Sequence, residues 1–202
     1  MVAILGDMVN TGRGARERIL RAAAHLFYVR GINATGVEEL RREADVSVRT
    51  LYNHFAGKDD VVVAYLEQMA DAAGSSLGRA DLPPRERLLG IFTPPAPKAG
   101  DPVRGCPLIN AGVELADPDH PAHRYAAERK ARFAERLTEI AREAGAADPE
   151  SLGQRLALLY DGASARSTVL NSDHPHEVAL ALATELVDAA LPVRPGPAPD
   201  RP

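Results

Sequence analysis

The spacing of apolar residues in the first third of the chain predicts a cluster of helices. Ile19, Ala23, Leu26 and Phe27 recur every three or four positions, which is the period of one helix face, and Gly31 follows as a stop. The same reasoning predicts helices over 16–30, from 35 to about 43, over 47–55 and over 58–73. Three short helices around a tight turn within some 45 residues predict a helix-turn-helix domain.

Capping residues mark the starts of the second and third of these helices. Thr35 with Glu38 forms a Thr-x-x-Glu capping box, and Ser47 is a favoured N-cap for the third helix. Asp45 lies in the turn between them. An aspartate tolerates the left-handed conformation that such a turn requires, so we expect the turn to form.

The rest of the chain also shows helical periods and no alternation typical of strands. Helices are predicted over 85–92, 106–116, 121–144, 149–172 and 175–191, several of them beginning at a proline. Residues 93–102 form a Pro/Gly-rich loop. The predicted fold is all-α. Its domains are a helix-turn-helix domain over 13–60 whose fourth helix continues to about 74, a helical bundle over 75–191, and a disordered tail over 192–202.

Charge is divided unevenly along the chain. The net charge of −4 hides nine basic against five acidic residues between Arg13 and Lys58, while the remainder carries fifteen against twenty-three. A basic amino-terminal module on an acidic body suits a protein that meets phosphates at one end only. No segment is long and apolar enough to span a bilayer, and the first ten residues lack the features of a signal peptide. We therefore expect a cytoplasmic protein with no membrane partner.

The predicted third helix carries side chains suited to reading DNA. Val48, Leu51 and Phe55 are expected to point into the core, which leaves its polar side chains for DNA. Arginine binds guanine through two hydrogen bonds, and threonine bonds a base edge or packs on the thymine methyl group. Phosphate contacts would then fix the register. The residues predicted to contact DNA are Thr35, Arg49, Thr50, Tyr52, Asn53, His54 and Lys58. Tyr52 could instead be a core aromatic residue, and His54 an ordinary exposed histidine.

The segment from Leu26 to Asp59 resembles the DNA-binding domain of the TetR family of bacterial regulators. It includes the family's Thr-Leu-Tyr-x-x-Phe-x-x-Lys signature, here Thr50 to Lys58. The resemblance implies DNA contacts at Thr35, Thr50, Tyr52, His54 and Lys58. Asp45 replaces the usual glycine of the turn. Arg41 stands where a small residue is common, and could bind phosphate or crowd the recognition helix.

The resemblance also implies that the last two long helices form a four-helix interface between two subunits. Gly162 to Ala165 would let backbones approach closely, and Val178, Leu182 and Leu186 give the final helix an apolar stripe. The alternative is that both helices only close the subunit's own core. A homodimer predicts a roughly palindromic operator with half-sites about 34 Å apart.

The stretch from Gly105 to Glu114 has the pattern Gly-Cys-x-x-x-Asn-x-x-x-Glu, which resembles that of a subset of TetR-like regulators. Cys106, Asn110 and Glu114 lie four residues apart, hence on one helix face that could border a ligand cavity. Some of these relatives sense electrophiles through a cysteine here, which requires a lowered thiol pKa. A reversible effector and a thiol-based sensor acting through Cys106 both remain open.

Polar and aromatic residues elsewhere in the bundle complete the predicted ligand contacts. The full set is Phe92, Cys106, Asn110, Glu114, His123, Tyr125, Tyr160, Asp161 and Ser164. The histidine pairs at 120 and 123 and at 174 and 176 stand at proline-broken helix starts, which favours capping or surface roles over a metal site. No enzyme motif is present, and no cofactor is expected. The helix-turn-helix predicts a regulator that binds operator DNA, and the resemblance implies a dimer, most often a repressor, that is released by an unknown small molecule; an activator remains open. A DNA-coating architectural protein is the rival, which the long acidic body argues against.

Overall fold

The computed structural model describes residues 14–73, 76–93 and 100–192, and it contains nine helices and no strand within those ranges. The all-α prediction is confirmed. None of these helices has both the length and the apolar character needed to cross a membrane. The tail over 193–202, the first thirteen residues and most of the Pro/Gly-rich loop lie outside the described residues. The helices are α1 (Ala15–Arg30), α2 (Val37–Glu43), α3 (Val48–His54), α4 (Lys58–Ala73), α5 (Pro84–Gly90), α6 (Pro107–Glu114), α7 (Pro121–Glu143), α8 (Pro149–Leu170) and α9 (His174–Ala190).

The turn between α2 and α3 has the predicted chemistry. Asp45 adopts a φ of +50°, the left-handed conformation that its side chain tolerates. Ser47 is the N-cap of α3, and its hydroxyl accepts a hydrogen bond of 3.0 Å from the backbone N–H of Thr50. These two residues fix the angle at which α3 leaves the turn.

The start of α2 differs from the prediction. The helix begins at Val37, with Gly36 as its N-cap and no side-chain capping bond. Thr35 is fully buried and its hydroxyl donates instead to the carbonyl of Gly31, 2.8 Å away. The capping box is therefore wrong, because the hydroxyl of Thr35 satisfies a backbone carbonyl that has no partner within α1.

The first hydrophobic core extends beyond the helix-turn-helix. Phe27 of α1 and Tyr65 of α4 meet edge to face with ring centroids 5.5 Å apart. Ala111 of α6 and Ala122 of α7 belong to the same buried cluster. We call α1 to α3 the DNA-binding head. The shared core means that α4, α6 and the start of α7 are packed on this head, so packing is continuous across the domain boundary predicted near residue 75.

A second core holds α5, α7, α8 and α9 together. Leu88, Leu137, Ile140 and Leu156 are fully buried in it. Close approach of α7 and α8 depends on Gly153, because a Cβ there would lie 2.7 Å from the backbone nitrogen of Thr138. The second core is thus the rigid body on which the cavity described below is built.

Candidate DNA-binding surface and ligand cavity

The outward face of α3 is exposed while its inward face is anchored. Leu51 is fully buried and Phe55, which follows the helix, is 5% exposed. Arg49 and Asn53 are exposed, and Tyr52 is 51% exposed. This division leaves a row of side chains free to enter a DNA groove.

Val48 lies on this outward face, contrary to the prediction that it points into the core. It is the first residue of α3 and is 47% exposed. The helix has only seven residues, and Leu51 and Phe55 suffice to anchor it, so Val48 at its start has no core to enter. An apolar side chain on such a surface suits the methyl group of thymine.

The remaining predicted DNA contacts are placed differently from one another. Thr50 is half-buried, with its hydroxyl 2.7 Å from that of Ser47, and His54 is exposed at the end of α3. Lys58 is the first residue of α4 and is partly exposed. Thr35 has no exposed surface, which contradicts a contact between its side chain and DNA.

Arg41 forms an ion pair within α2. Its guanidinium binds the carboxylate of Glu38, and the pairing lowers the pKa of Glu38 and raises that of Arg41. A second guanidinium nitrogen lies 3.5 Å from the carbonyl of Val46 in the turn. Arg41 thus bridges α2 and the turn without displacing α3, and crowding of the recognition helix is not observed.

A cavity of about 370 Å³ opens between α4, α6, α7 and α8, and the segments on either side of α5 complete its wall. This volume is within the usual range of small-molecule sites. Its wall combines apolar side chains with a row of basic residues from α7. The lining residues are Ala70, Leu77, Gly78, Ile91, Cys106, Leu108, Arg129, Lys130, Arg132, Phe133, Arg136 and Tyr160.

Lys130 is held firmly in the cavity wall. Its ammonium group pairs with the carboxylate of Asp161 on α8. It also lies 4.9 Å from the ring centre of Phe133 and 5.1 Å from that of Tyr160, within the range of cation–π attraction. Asp161, a predicted ligand contact, therefore holds Lys130 in position and does not itself line the cavity. Burial raises the pKa of Tyr160, which keeps its hydroxyl neutral.

Cys106 lines the cavity, as predicted, and it is the N-cap of α6 rather than the first residue of the helix. Its side chain is buried, and burial raises the pKa of the thiol against the opposing effect of Lys130. A raised pKa disfavours the thiolate, which is the reactive form. The backbone before it is tightly held, since Gly105 has a φ of +56° and a Cβ there would lie 2.7 Å from the hydroxyl oxygen of Thr168.

Several other predicted ligand contacts do not line this cavity because each has a structural partner. Asn110 donates from its side-chain amide to the carbonyl of Arg104, 2.7 Å away. Phe92 is 2% exposed and packs edge to face on Tyr160, 6.2 Å between centroids. Ser164 is 1% exposed and faces His176 at 3.5 Å.

Glu114 joins α6 to the DNA-binding head. Its carboxylate accepts a hydrogen bond of 2.9 Å from the backbone N–H of Asn33, and its carbonyl accepts one of 2.8 Å from the side-chain amide of Asn33. The carboxylate also packs over Gly31, where a Cβ would lie 2.9 Å from a carboxylate oxygen. Gly31 has a φ of +100°, so it supplies both the backbone conformation and the room for Glu114. Glu114 is thus a link between domains rather than a cavity residue.

Three histidines of the helical bundle take structural roles. His120 caps α7, accepting a hydrogen bond of 3.2 Å from the backbone N–H of Ala122. A ring nitrogen of His123 lies 2.7 Å from the carbonyl of Leu115, and Tyr125 packs against the first core, so neither lines the cavity. His176 is buried and lies 3.0 Å from the hydroxyl of Ser167. The described residues hold no group of three or more side chains suited to a metal ion.

Sequence reasoning missed the basic row on α7. Arg129, Arg132, Phe133 and Arg136 recur at intervals of three and four, a spacing that places them along one face of the helix. This spacing was the sequence feature that could have indicated a basic row on one face of α7. Alternating charges on a long helix are typical of a solvated face, which is why the row did not stand out.

Comparison with known proteins decides the family. A family model for bacterial regulatory proteins of the TetR family matches residues 19–65. The solved structure of a TetR transcriptional regulator from Streptomyces avermitilis is 36% identical in sequence and has a TM-score of 0.75. The match covers 88% of this chain and 98% of that one. The chain belongs to the TetR family.

Two further relatives agree with this assignment. A TetR-family regulator from Streptomyces coelicolor is 29% identical, with a TM-score of 0.75 over 87% of this chain and 95% of its own. The transcriptional repressor KstR2 of Mycobacterium tuberculosis is 34% identical over 91 residues, which is 44% of this chain and 44% of KstR2. The matches to curated relatives span 28% to 52% of those proteins, whereas the solved structures match over almost their full length. The all-helical TetR fold, with an amino-terminal helix-turn-helix, therefore extends through the described chain.

Proposed function

We propose that this protein is a ligand-responsive repressor that binds a palindromic operator as a homodimer in the cytoplasm. The observation that carries the proposal is the outward face of α3, where Val48, Arg49, Tyr52 and Asn53 are exposed on a helix anchored by Leu51. A rigid two-turn helix with an exposed polar face is what major-groove reading requires. The DNA-binding head is also the basic part of an otherwise acidic chain.

Base reading is assigned to the centre of this face. Arg49 would bind guanine and Asn53 adenine, each through two hydrogen bonds, while Val48 would pack on a thymine methyl group. Thr50, half-buried beside Ser47, would contact a base or phosphate at the edge of the face.

Phosphate contacts are assigned to the ends of the same surface. Tyr52, His54 and Lys58 project from the end of α3 and the start of α4. Contacts of this kind fix the orientation of a helix on the duplex and make the affinity depend on salt concentration.

The dimer would form through α8 and α9. Leu158 and Val169 on α8 are 75% and 84% exposed, and Val178 and Leu182 on α9 are 48% and 45% exposed. Gly162 lies on the exposed side of α8 between the first two, and a Cβ there would meet nothing within 4 Å. A soluble protein rarely leaves such an apolar surface uncovered. A second copy offers the same surface, which gives a two-fold interface of four helices.

Ligand response would couple the cavity to the DNA-binding head. Ala70 of α4 and Cys106 and Leu108 of α6 line the cavity. The other end of α4 adjoins α3, and the other end of α6 is bonded to Asn33 through Glu114. A ligand that binds one arrangement of these helices more tightly would shift the head toward it by that difference in affinity.

The operator is the first thing to measure. Selection from random duplexes with the full chain should yield a palindrome, and fluorescence anisotropy at fixed salt then gives affinities. Arg49→Ala should weaken binding by about fivefold or more, since a paired arginine–guanine contact is worth about 1–3 kcal/mol. Arg142→Ala, an exposed arginine at the end of α7, is the matched control and should stay within twofold. Selection without a palindrome, or equal losses in both variants, would contradict the proposal.

A further inference from the structure

The charge of the cavity wall indicates what kind of molecule it accepts. Arg129, Lys130, Arg132 and Arg136 line it, and none of the described residues that line it is acidic. The rest of the wall is apolar or uncharged, with Leu77, Ile91 and Leu108 among its members. The wall therefore offers a basic strip along α7 opposite a surface suited to hydrocarbon.

The carboxylates near this strip form only exposed ion pairs with Arg132 and Arg136, so both arginines can still bind an anion in the cavity. Arg136 lies 2.6 Å from Glu139 and 3.8 Å from Glu143, and Arg132 lies 4.0 Å from Glu128. The side chains of Arg132 and Arg136 are 67% and 41% exposed. Exposed ion pairs of this kind contribute little free energy, so these arginines exchange partners readily.

Lys130 differs from the two exposed arginines because its position is fixed. Its side chain is 20% exposed, and its pairing with Asp161 and its contacts with the rings of Phe133 and Tyr160 hold it in place. The ammonium group has three donors, of which Asp161 occupies one. The cavity wall therefore has one cation in a fixed position, Lys130, and two exposed arginines, Arg132 and Arg136, whose side chains can change partners.

We propose that this cavity binds an amphipathic organic anion: a hydrocarbon body on the apolar side, with a carboxylate or similar oxyanion against the basic strip of α7. The inference rests on the proposed function in taking this cavity as the effector site. A volume of about 370 Å³ lies toward the lower end of the usual range for small-molecule sites, which suits one small amphipathic molecule. Medium-chain carboxylates are of this size.

Three probes of equal chain length separate charge from hydrophobicity. Decanoate, decan-1-ol and decylammonium share the hydrocarbon chain and differ in the charge of the head group. Titration calorimetry on the full chain, below micellar concentrations, should give decanoate an affinity at least tenfold above that of the other two. Its affinity should also fall as salt concentration rises, since screening weakens exposed charges most.

Variants of the exposed arginines test the position of the anion. Arg132→Gln combined with Arg136→Gln should weaken decanoate binding by about fivefold or more and leave decan-1-ol binding unchanged. Arg142→Gln removes an arginine of the same helix that does not line the cavity; it is the control and should have no effect. Because Arg132 and Arg136 are exposed, these variants should fold normally, which a thermal melt verifies.

The results distinguish this inference from the proposed function. Decanoate that binds as predicted without releasing operator DNA would support the charge preference and contradict the ligand-responsive role. Release of the operator by a neutral or cationic effector in this cavity would support the ligand-responsive role and contradict the charge preference. Equal affinity for decanoate and decan-1-ol, no binding of any probe, or equal losses in the double variant and Arg142→Gln would each overturn the inference.

Discussion

Replacement of Glu114 by alanine should loosen the contact between α6 and the DNA-binding head. The variant removes the carboxylate that accepts a 2.9 Å hydrogen bond from the backbone N–H of Asn33, while the bond from the Asn33 side chain to the Glu114 carbonyl remains. Hydrogen bonds to charged groups are worth about 1.5–3 kcal/mol. Asn33 is exposed, so water replaces the lost acceptor and we expect about 1 kcal/mol. That corresponds to about fivefold more frequent opening of the turn between α1 and α2.

Hydrogen–deuterium exchange measures this opening directly. The amide of Asn33 should exchange about fivefold faster in Glu114→Ala than in the wild type, while amides in the second core are unchanged. Glu114→Gln keeps an acceptor oxygen at the same position and should retain most of the protection. Val113→Ala, a change at the exposed neighbouring residue, should have no effect. Unchanged protection of Asn33 in Glu114→Ala would refute the assignment of this link.

Four further expectations follow from other parts of the structure. Asp45→Ala should lower the free energy of unfolding by about 1 kcal/mol, because alanine tolerates a φ of +50° poorly; Asp45→Asn should not, and thermal melts compare them. Leu158→Asp combined with Val169→Asp should convert a dimer to a monomer in light scattering, and a dimer that persists would exclude this interface. Burial raises the pKa of the Cys106 thiol, so this thiol should react with a disulfide reagent at pH 7.5 at least about tenfold more slowly than free cysteine. Comparable rates would contradict this and favour the thiol-sensing alternative. Burial lowers the pKa of His176 below its usual 6.5, so folding favours the neutral ring and stability should fall as pH drops through and below about 6.5, by at most about 1.4 kcal/mol per pH unit. His176→Gln should lose less stability over that interval, and parallel losses in both proteins would contradict the prediction.

The helices were predictable from local sequence because periodicity and caps are local properties. α4 spans the predicted 58–73, and α1 begins one residue before the predicted start. The predicted start of α2 was wrong because the hydroxyl group of Thr35 could either cap α2 or bond to a carbonyl at the end of α1. Only the fold decides between these two partners. Val48 was misplaced for a related reason: the helical period shows which residues share a face, but not how many a short helix needs to bury.

The DNA-binding face was more predictable than the cavity for a geometric reason. The residues of α3 come from one segment, so their relative positions follow from the helix itself. The cavity wall comes from four helices and the segments beside α5, and its lining depends on the rotation of the helices about their own axes, which no local pattern determines. Cys106 and Tyr160 were predicted to border a ligand and do line the cavity. Glu114 shares a helix face with Cys106 but lies a further two turns along, where that face meets the head instead.

The shortness of α6 has a consequence for how such a regulator diversifies. Eight residues make a rod about 12 Å long, too short to bend appreciably, with the cavity at one end and Asn33 at the other. In the proposed mechanism, the side chains that would select a ligand lie mostly on α7, whereas the side chain that would transmit the response to the head is Glu114. The proposal therefore implies that substitutions on α7 change which compound is recognised without changing the contact between α6 and the head.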